Sequence, residues 1–204
     1  MKQYLDNAFS YGDYLAHIDR LLAENKTTGQ NQSDVMVDFT RLNRRRMERI
    51  GKTTTLDSDI VRSVRLNNRR QIWLVITEGW CGDAAQNIPL IEKIASQSDI
   101  IETRYILRDE NLDLMDQFLT NGGRAIAKLI ALDAETLDVL GTWGARPAEA
   151  QKLFENLKAQ DVPKPLIMEN LQRWYNNDRG RSLRAEFAGL IDEWGGRKTA
   201  TASV

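Results

Sequence analysis

The stretch Val75-Ile76-Thr77-Glu78-Gly79-Trp80-Cys81-Gly82-Asp83-Ala84 decides the fold. It begins inside the β-branched run 72–77, which predicts a short strand buried on both faces. The two glycines that follow predict a tight turn, and the apolar spacing beyond residue 84 predicts a helix. The cysteine therefore lies where a buried strand turns into a helix.

Outward from this stretch, strand and helix patterns alternate. Residues 72–77, 100–107, 126–132 and 137–143 predict four strands, the last two joined as an antiparallel hairpin. With the helices predicted between and after them, the order is β-α-β-α-β-β-α, an α/β arrangement in residues 71–162. Residues 1–70 predict an N-terminal helical extension. Residues 163–204 predict a C-terminal helical extension, either one kinked helix or two helices, followed by a frayed tail.

Composition excludes several classes of function. The chain has 204 residues, a net charge of -1, 42% hydrophobic residues, one cysteine and one histidine. A near-zero charge argues against a dedicated nucleic-acid binder, and the arginines of residues 41–49 are interpreted as the solvated face of a helix. A single cysteine forms no intramolecular disulfide, and no Cys/His zinc site can be assembled within one chain. A catalytic triad would have to use His17.

The sequence also predicts the cellular location of the protein. No apolar run approaches the roughly 20 residues that a spanning helix needs, and the N-terminus lacks an apolar signal segment. We therefore expect a cytoplasmic protein with no membrane partner, in which a lone thiol stays reduced.

The strand, the Trp-Cys-Gly-Asp turn and the element order resemble the thioredoxin fold. Residues 77–86 together with residues 121–130 resemble a bacterial branch of thioredoxin-like proteins that carries helical extensions at both ends. The resemblance covers about residues 71–160. It implies a four-stranded mixed sheet, thiol–disulfide chemistry in cell redox homeostasis, and a loop facing the turn that presents backbone groups to an extended substrate.

Two positions depart from the pattern of that family. Redox-active members carry Cys-x-x-Cys, and the second, resolving cysteine maps to Ala84, which has no sulfur. The cis-proline of the facing loop maps to Ala127. Because a cis bond before a residue other than proline costs about 2.5–4 kcal/mol, we expect the Ile126–Ala127 bond to be trans.

Three interpretations of Cys81 stay open. A helix start would stabilise its thiolate, with Trp80 as a docking shoulder, although Glu78 and Asp83 oppose the anion. Cys81 is then a monothiol nucleophile, with glutathione or another external thiol as co-substrate and a protein disulfide or low-molecular-weight thiol as partner. Alternatively, the chain is a catalytically degenerate thioredoxin-fold binding module, or Cys81 is a small packing residue.

The remaining expectations concern the surroundings of Cys81 and the assembly. The residues expected to shape the site or border a substrate are Trp80, Gly82, Asp83, Ala84, Ile126 and Ala127. No resident cofactor or metal is expected. The helical extensions either pack around the sheet or form the face of a homodimer.

Overall fold

A four-stranded mixed sheet forms the centre of the protein. A computed structural model describes residues 1–196, so most of the predicted tail, residues 197–204, lies outside the described part. The strands are β1 (Gln71–Thr77), β2 (Ile101–Leu107), β3 (Lys128–Asp133) and β4 (Val139–Gly144). In the order β2-β1-β3-β4, β1 pairs in parallel with β2 and antiparallel with β3, which pairs antiparallel with β4. This arrangement confirms the predicted α/β thioredoxin-like sheet.

Helices flank this sheet in the described part of the chain. They are α1 (Lys2–Leu5), α2 (Tyr11–Ala23), α3 (Asp34–Thr53), α4 (Ser58–Leu66), α5 (Gly82–Ala95), α6 (Leu112–Met115), α7 (Ala148–Ala159), α8 (Lys164–Asp178) and α9 (Arg181–Trp194). The C-terminal region forms two helices, because Arg179 and Gly180 both adopt left-handed backbone angles, with φ of 54° and 75°. Such angles end a right-handed helix.

The core lies on both faces of β1. Trp73, Leu74, Val75 and Ile76 are all fully buried, as a β-branched run between two neighbouring strands requires. On one side, the Trp73 ring meets Trp194 of α9 edge to face at a centroid distance of 5.8 Å. Buried side chains of α2, α3 and α4 belong to the same hydrophobic cluster. The division into segments 1–70, 71–162 and 163–204 stays a prediction.

None of the described helices combines the length and the apolar character that a membrane crossing requires.

Candidate functional site around Cys81

Cys81 occupies the predicted place between β1 and α5. Its N–H donates to the Glu78 carbonyl at 3.2 Å, which closes the turn after β1. Cys81 is the N-cap residue of α5, and the N–H of Ala84 points at its sulfur from 3.5 Å. The thiol in turn donates to the carbonyl oxygen of Ile126 at 3.3 Å. The sulfur therefore lies at a helix N-terminus and is tied to the facing loop.

Burial decides the ionisation of this thiol. Cys81 is 8% exposed, and burial raises its pKa to about 12, with the charge of Asp83 adding to the effect. The N–H groups of α5 and the guanidinium of Arg146 lower the pKa, but by less than desolvation raises it. At this site desolvation outweighs the effect of the helix start, so the pKa of the Cys81 thiol is raised.

The facing loop corrects a second expectation, since the Ile126–Ala127 bond is cis and not trans. The energetic preference of an isolated bond is for trans, whereas this bond lies in a packed loop. Ile126 is 4% exposed and its carbonyl accepts from the Cys81 thiol. Ala127 is 1% exposed, and its carbonyl packs so closely on Gly144 that a Cβ added there would lie 2.1 Å from the oxygen.

A buried ion pair lies beside the cysteine. Oδ2 of Asp83 is 2.8 Å from Nη2 of Arg146, with side chains only 8% and 9% exposed. The hydroxyl of Tyr175 donates to the other oxygen of Asp83 at 2.8 Å. Burial raises the pKa of the Asp83 carboxyl, while Arg146 and Tyr175 act in the opposite direction. The guanidinium of Arg146 also stacks on the Phe154 ring, 4.3 Å from its centroid.

Sequence reasoning missed the partners of Asp83. Arg146 follows β4 and Tyr175 lies in α8, 92 residues from Asp83. No local spacing links these positions, and nothing in the sequence around them distinguishes them from surface residues. A predicted site-shaping residue, Asp83, is therefore half of a buried network that joins α5 to the C-terminal helices.

A second buried carboxylate lies at the end of β1. Glu78 is fully buried, and its Oε1 accepts the backbone N–H of Asp109 at 2.9 Å. Its Oε2 has no hydrogen-bond partner among the described residues. Burial raises the pKa of Glu78 to about 7, opposed by Thr28, the Asp109 N–H and Arg108.

The segment between α2 and α3 covers the turn from outside. The hydroxyl of Thr28 accepts the N–H of Gly79 at 2.9 Å, and Asn43 of α3 donates to the Gly79 carbonyl at 3.1 Å. Trp80 is half-buried, and the guanidinium of Arg108 lies 4.8 Å from its ring centroid. The Trp80 ring, which the sequence predicts as a docking surface, is therefore in contact with the Arg108 side chain of the same chain.

The predicted site residues are brought together but differ in access. Gly82 is exposed and Trp80 is half-buried, whereas the others are buried: Cys81, Asp83, Ala84, Ile126 and Ala127. The position of the resolving cysteine holds Ala84, which carries no sulfur or polar group and is fully buried. Residues 1–196 contain no group of three or more histidine, cysteine, aspartate or glutamate side chains placed to hold a metal ion.

Comparisons with known proteins agree with this architecture. A family model described as Thioredoxin matches residues 29–158. The crystal structure of a protein of unknown function, PA1234 from Pseudomonas aeruginosa, superimposes with a TM-score of 0.63 at 18% identity. That match covers 93% of this chain and 95% of PA1234.

A second solved structure has a similar fold. An HIV epitope-scaffold protein superimposes with a TM-score of 0.55 at 19% identity, covering 90% of this chain and 98% of the scaffold. No curated protein matches the sequence. At these identities the structural neighbours report on the fold and not on its chemistry.

Proposed function

The chain belongs to the thioredoxin family, and from that premise we propose that it is a binding member of the family, in which Cys81 stays a protonated thiol and exchanges no disulfides. The observation that carries the proposal is the environment of the sulfur. Cys81 is 8% exposed, and its thiol donates a hydrogen bond to the Ile126 carbonyl.

The protonation state of Cys81 limits exchange chemistry. Only the thiolate attacks a disulfide. With a pKa of about 12, the thiolate fraction of Cys81 at pH 7 is on the order of 10⁻⁵, against roughly 3% for a thiol of pKa 8.5. The nucleophile is therefore scarcer than in a free cysteine by roughly three orders of magnitude.

The burial of the facing loop also supports the proposal. In the family that this chain resembles, this loop presents backbone groups to an extended substrate. Here the Ile126 carbonyl already accepts from Cys81, and both Ile126 and Ala127 are at least 95% buried. A disulfide substrate would find neither an open backbone edge nor an exposed sulfur.

A second candidate function is monothiol exchange, favoured by the position of Cys81 at the N-terminus of α5 with the Ala84 N–H 3.5 Å from its sulfur. In that scheme the Cys81 thiolate attacks a disulfide, forms a mixed disulfide and expels one thiolate. The thiolate of glutathione then attacks the mixed disulfide, forms a new disulfide with the bound half and releases Cys81 as a thiolate. The scheme requires the site to open.

Mixed-disulfide formation separates the two candidates. Native protein is incubated with oxidised glutathione at pH 7.5, and intact mass is followed over time. The same protein unfolded in urea is the positive control, and Cys81→Ser is the negative control. We expect rapid modification of the unfolded chain and at least a roughly 100-fold slower reaction of the native chain, since burial withholds the thiolate. Native protein that reacts as fast as unfolded protein would establish the monothiol candidate instead.

A further inference from the structure

A cavity of about 670 Å³ lies between the C-terminal end of α3, α5 and the junction of α8 and α9. Its volume falls in the range of small-molecule sites, roughly 300–1,000 Å³. None of the residues predicted to shape the Cys81 site lines it.

Positive charge dominates the wall of this cavity. Arg49 of α3 and Arg179 and Arg184 of the α8–α9 junction line it, together with one carboxylate, Asp178. The carboxylate of Asp178 is already engaged, because the backbone N–H and the hydroxyl of Ser182 donate to its Oδ1 at 3.1 Å and 2.7 Å. Asp178 keeps its negative charge, so the side chains that line the cavity carry three positive charges against one negative charge.

Two of the three arginines are available to a ligand. Arg184 pairs with Asp57 at 2.8 Å, whereas Arg49 and Arg179 form no ion pair within residues 1–196. Both are exposed, so their guanidinium groups lie at the rim and not at the base. A guanidinium presents a planar fork of donors that matches carboxylate or phosphate oxygens. Two such groups, from separate elements, suit a doubly charged anion.

The inner wall is less polar and well ordered by hydrogen bonds. Leu90 and Tyr175 supply a small apolar surface, with 4% and 7% of their areas exposed. Asn87 donates to the Tyr175 hydroxyl at 3.2 Å, and the same hydroxyl donates to Asp83. Tyr175 therefore belongs both to the wall of the cavity and to the network beside Cys81, which fixes the position of its ring.

We propose that this cavity binds an organic phosphate, with the phosphate group held between Arg49 and Arg179 and the less polar body lying against Leu90 and Tyr175. A phosphate monoester carries about −1.5 to −2 charges at pH 7, which two guanidinium groups can neutralise. This proposal rests on the proposed binding function and adds to it a class of ligand, an organic phosphate. The disulfide assay reports on Cys81 and ligand titration reports on the cavity, so either can fail alone.

Calorimetric titration of the full chain tests the proposal with three probes. Adenosine monophosphate supplies a phosphate and an apolar body, inorganic pyrophosphate supplies only the phosphate chemistry, and adenosine supplies only the body. We expect saturable binding of adenosine monophosphate with a dissociation constant below about 1 mM, and competition by pyrophosphate for the same site. Adenosine is expected to bind at least roughly tenfold more weakly, because it lacks the charge-assisted contacts.

Charge-neutral variants locate the site. Arg49→Gln and Arg179→Gln are each expected to weaken binding of adenosine monophosphate by roughly tenfold or more, since each removes a charge-assisted fork. Arg65→Gln is the matched control, because Arg65 is an exposed arginine of α4 that does not line the cavity. The proposal is overturned if neither phosphate probe binds saturably, or if Arg65→Gln weakens binding as much as the cavity variants. Unchanged thermal unfolding of each variant establishes that the fold is intact.

Discussion

The ion pair between Asp83 and Arg146 makes the strongest stability prediction. Both side chains are at least nine-tenths buried and their charged atoms are 2.8 Å apart. Replacing Arg146→Gln leaves the Asp83 carboxylate buried without its cation, and one hydroxyl, that of Tyr175, stays within 2.8 Å of it. Breaking a buried pair in this way typically costs about 3–5 kcal/mol of unfolding free energy.

That cost gives a measurable change in melting temperature. In a chain of this length, 1 kcal/mol shifts the midpoint by roughly 2–4 °C, so Arg146→Gln is expected to lower it by roughly 6–20 °C at pH 7. The loss of the cation–π contact with Phe154 acts in the same direction. Differential scanning calorimetry or urea unfolding monitored by tryptophan fluorescence measures the loss.

The loss of stability caused by Arg146→Gln should also depend on pH. Burial raises the pKa of Asp83 in the folded protein, and removing Arg146 removes an effect that lowers it. A carboxyl with a raised folded pKa contributes stability that is present below its unfolded pKa, about 3.9, and is lost as pH rises through the folded pKa. The difference between wild type and Arg146→Gln is therefore expected to be small near pH 4 and to grow toward pH 7.

Two further variants complete this test. The double variant Asp83→Asn with Arg146→Gln buries no charge, and should recover most of the lost stability. Arg124→Gln is the matched control, because it breaks a two-point ion pair with Asp116 whose side chains are 48% and 47% exposed. It should have little effect, since water solvates both charges. Equal losses for Arg146→Gln and Arg124→Gln would refute the reasoning from burial.

Other variants probe the two sides of the Cys81 turn. The pKa of buried Glu78 is raised from 4.5 to about 7, so its contribution to stability is lost as pH rises through 7. Glu78→Gln should then be more stable than wild type at pH 8, by up to roughly 3 kcal/mol. Urea unfolding of both proteins between pH 5 and pH 8 measures this difference. A difference in stability that does not change with pH would contradict the prediction. Gly144 has a φ of 117°, and a Cβ there would lie 2.1 Å from the Ala127 carbonyl. Gly144→Ala should therefore lower the free energy of unfolding by at least about 1–3 kcal/mol. It should also speed the alkylation of Cys81. Gly82→Ala, which meets nothing within 4 Å, is its control, and equal melting temperatures for both would contradict the packing argument.

The strand–turn–helix around Cys81 could be predicted because its signals are local. A β-branched run, glycines in the turn and apolar spacing afterwards lie within about twenty residues, and the structure has β1 and α5 there. The hairpin of β3 and β4 was predictable for the same reason.

The buried face of α3 could be predicted only in part. Met47 and Ile50 are buried, but Phe39, which the apolar spacing of this helix places on the same face, is 50% exposed. Thr40 and Asn43 are buried instead, because Thr40 bonds Thr27 and Asn43 bonds the Gly79 carbonyl. Those partners lie outside the helix, so helical periodicity carries no information about them.

The chemistry of the site depended on contacts between distant residues. That a cysteine starts a helix follows from the sequence, whereas its 8% exposure follows from how the loop at Ile126 packs over it. The partners of Asp83 likewise come from β4 and α8.

The pH dependence of Cys81 alkylation in the native protein tests the unreactive thiol most directly. With a pKa of about 12, the rate constant with iodoacetamide should rise about tenfold per pH unit from pH 6 to pH 10 without reaching a plateau. Protein unfolded in urea should level off near pH 8.5–9.5, as a free thiol does. A native titration curve with its midpoint at or below about 8.5 would mean that α5 stabilises a thiolate, and the binding-only function would then be wrong.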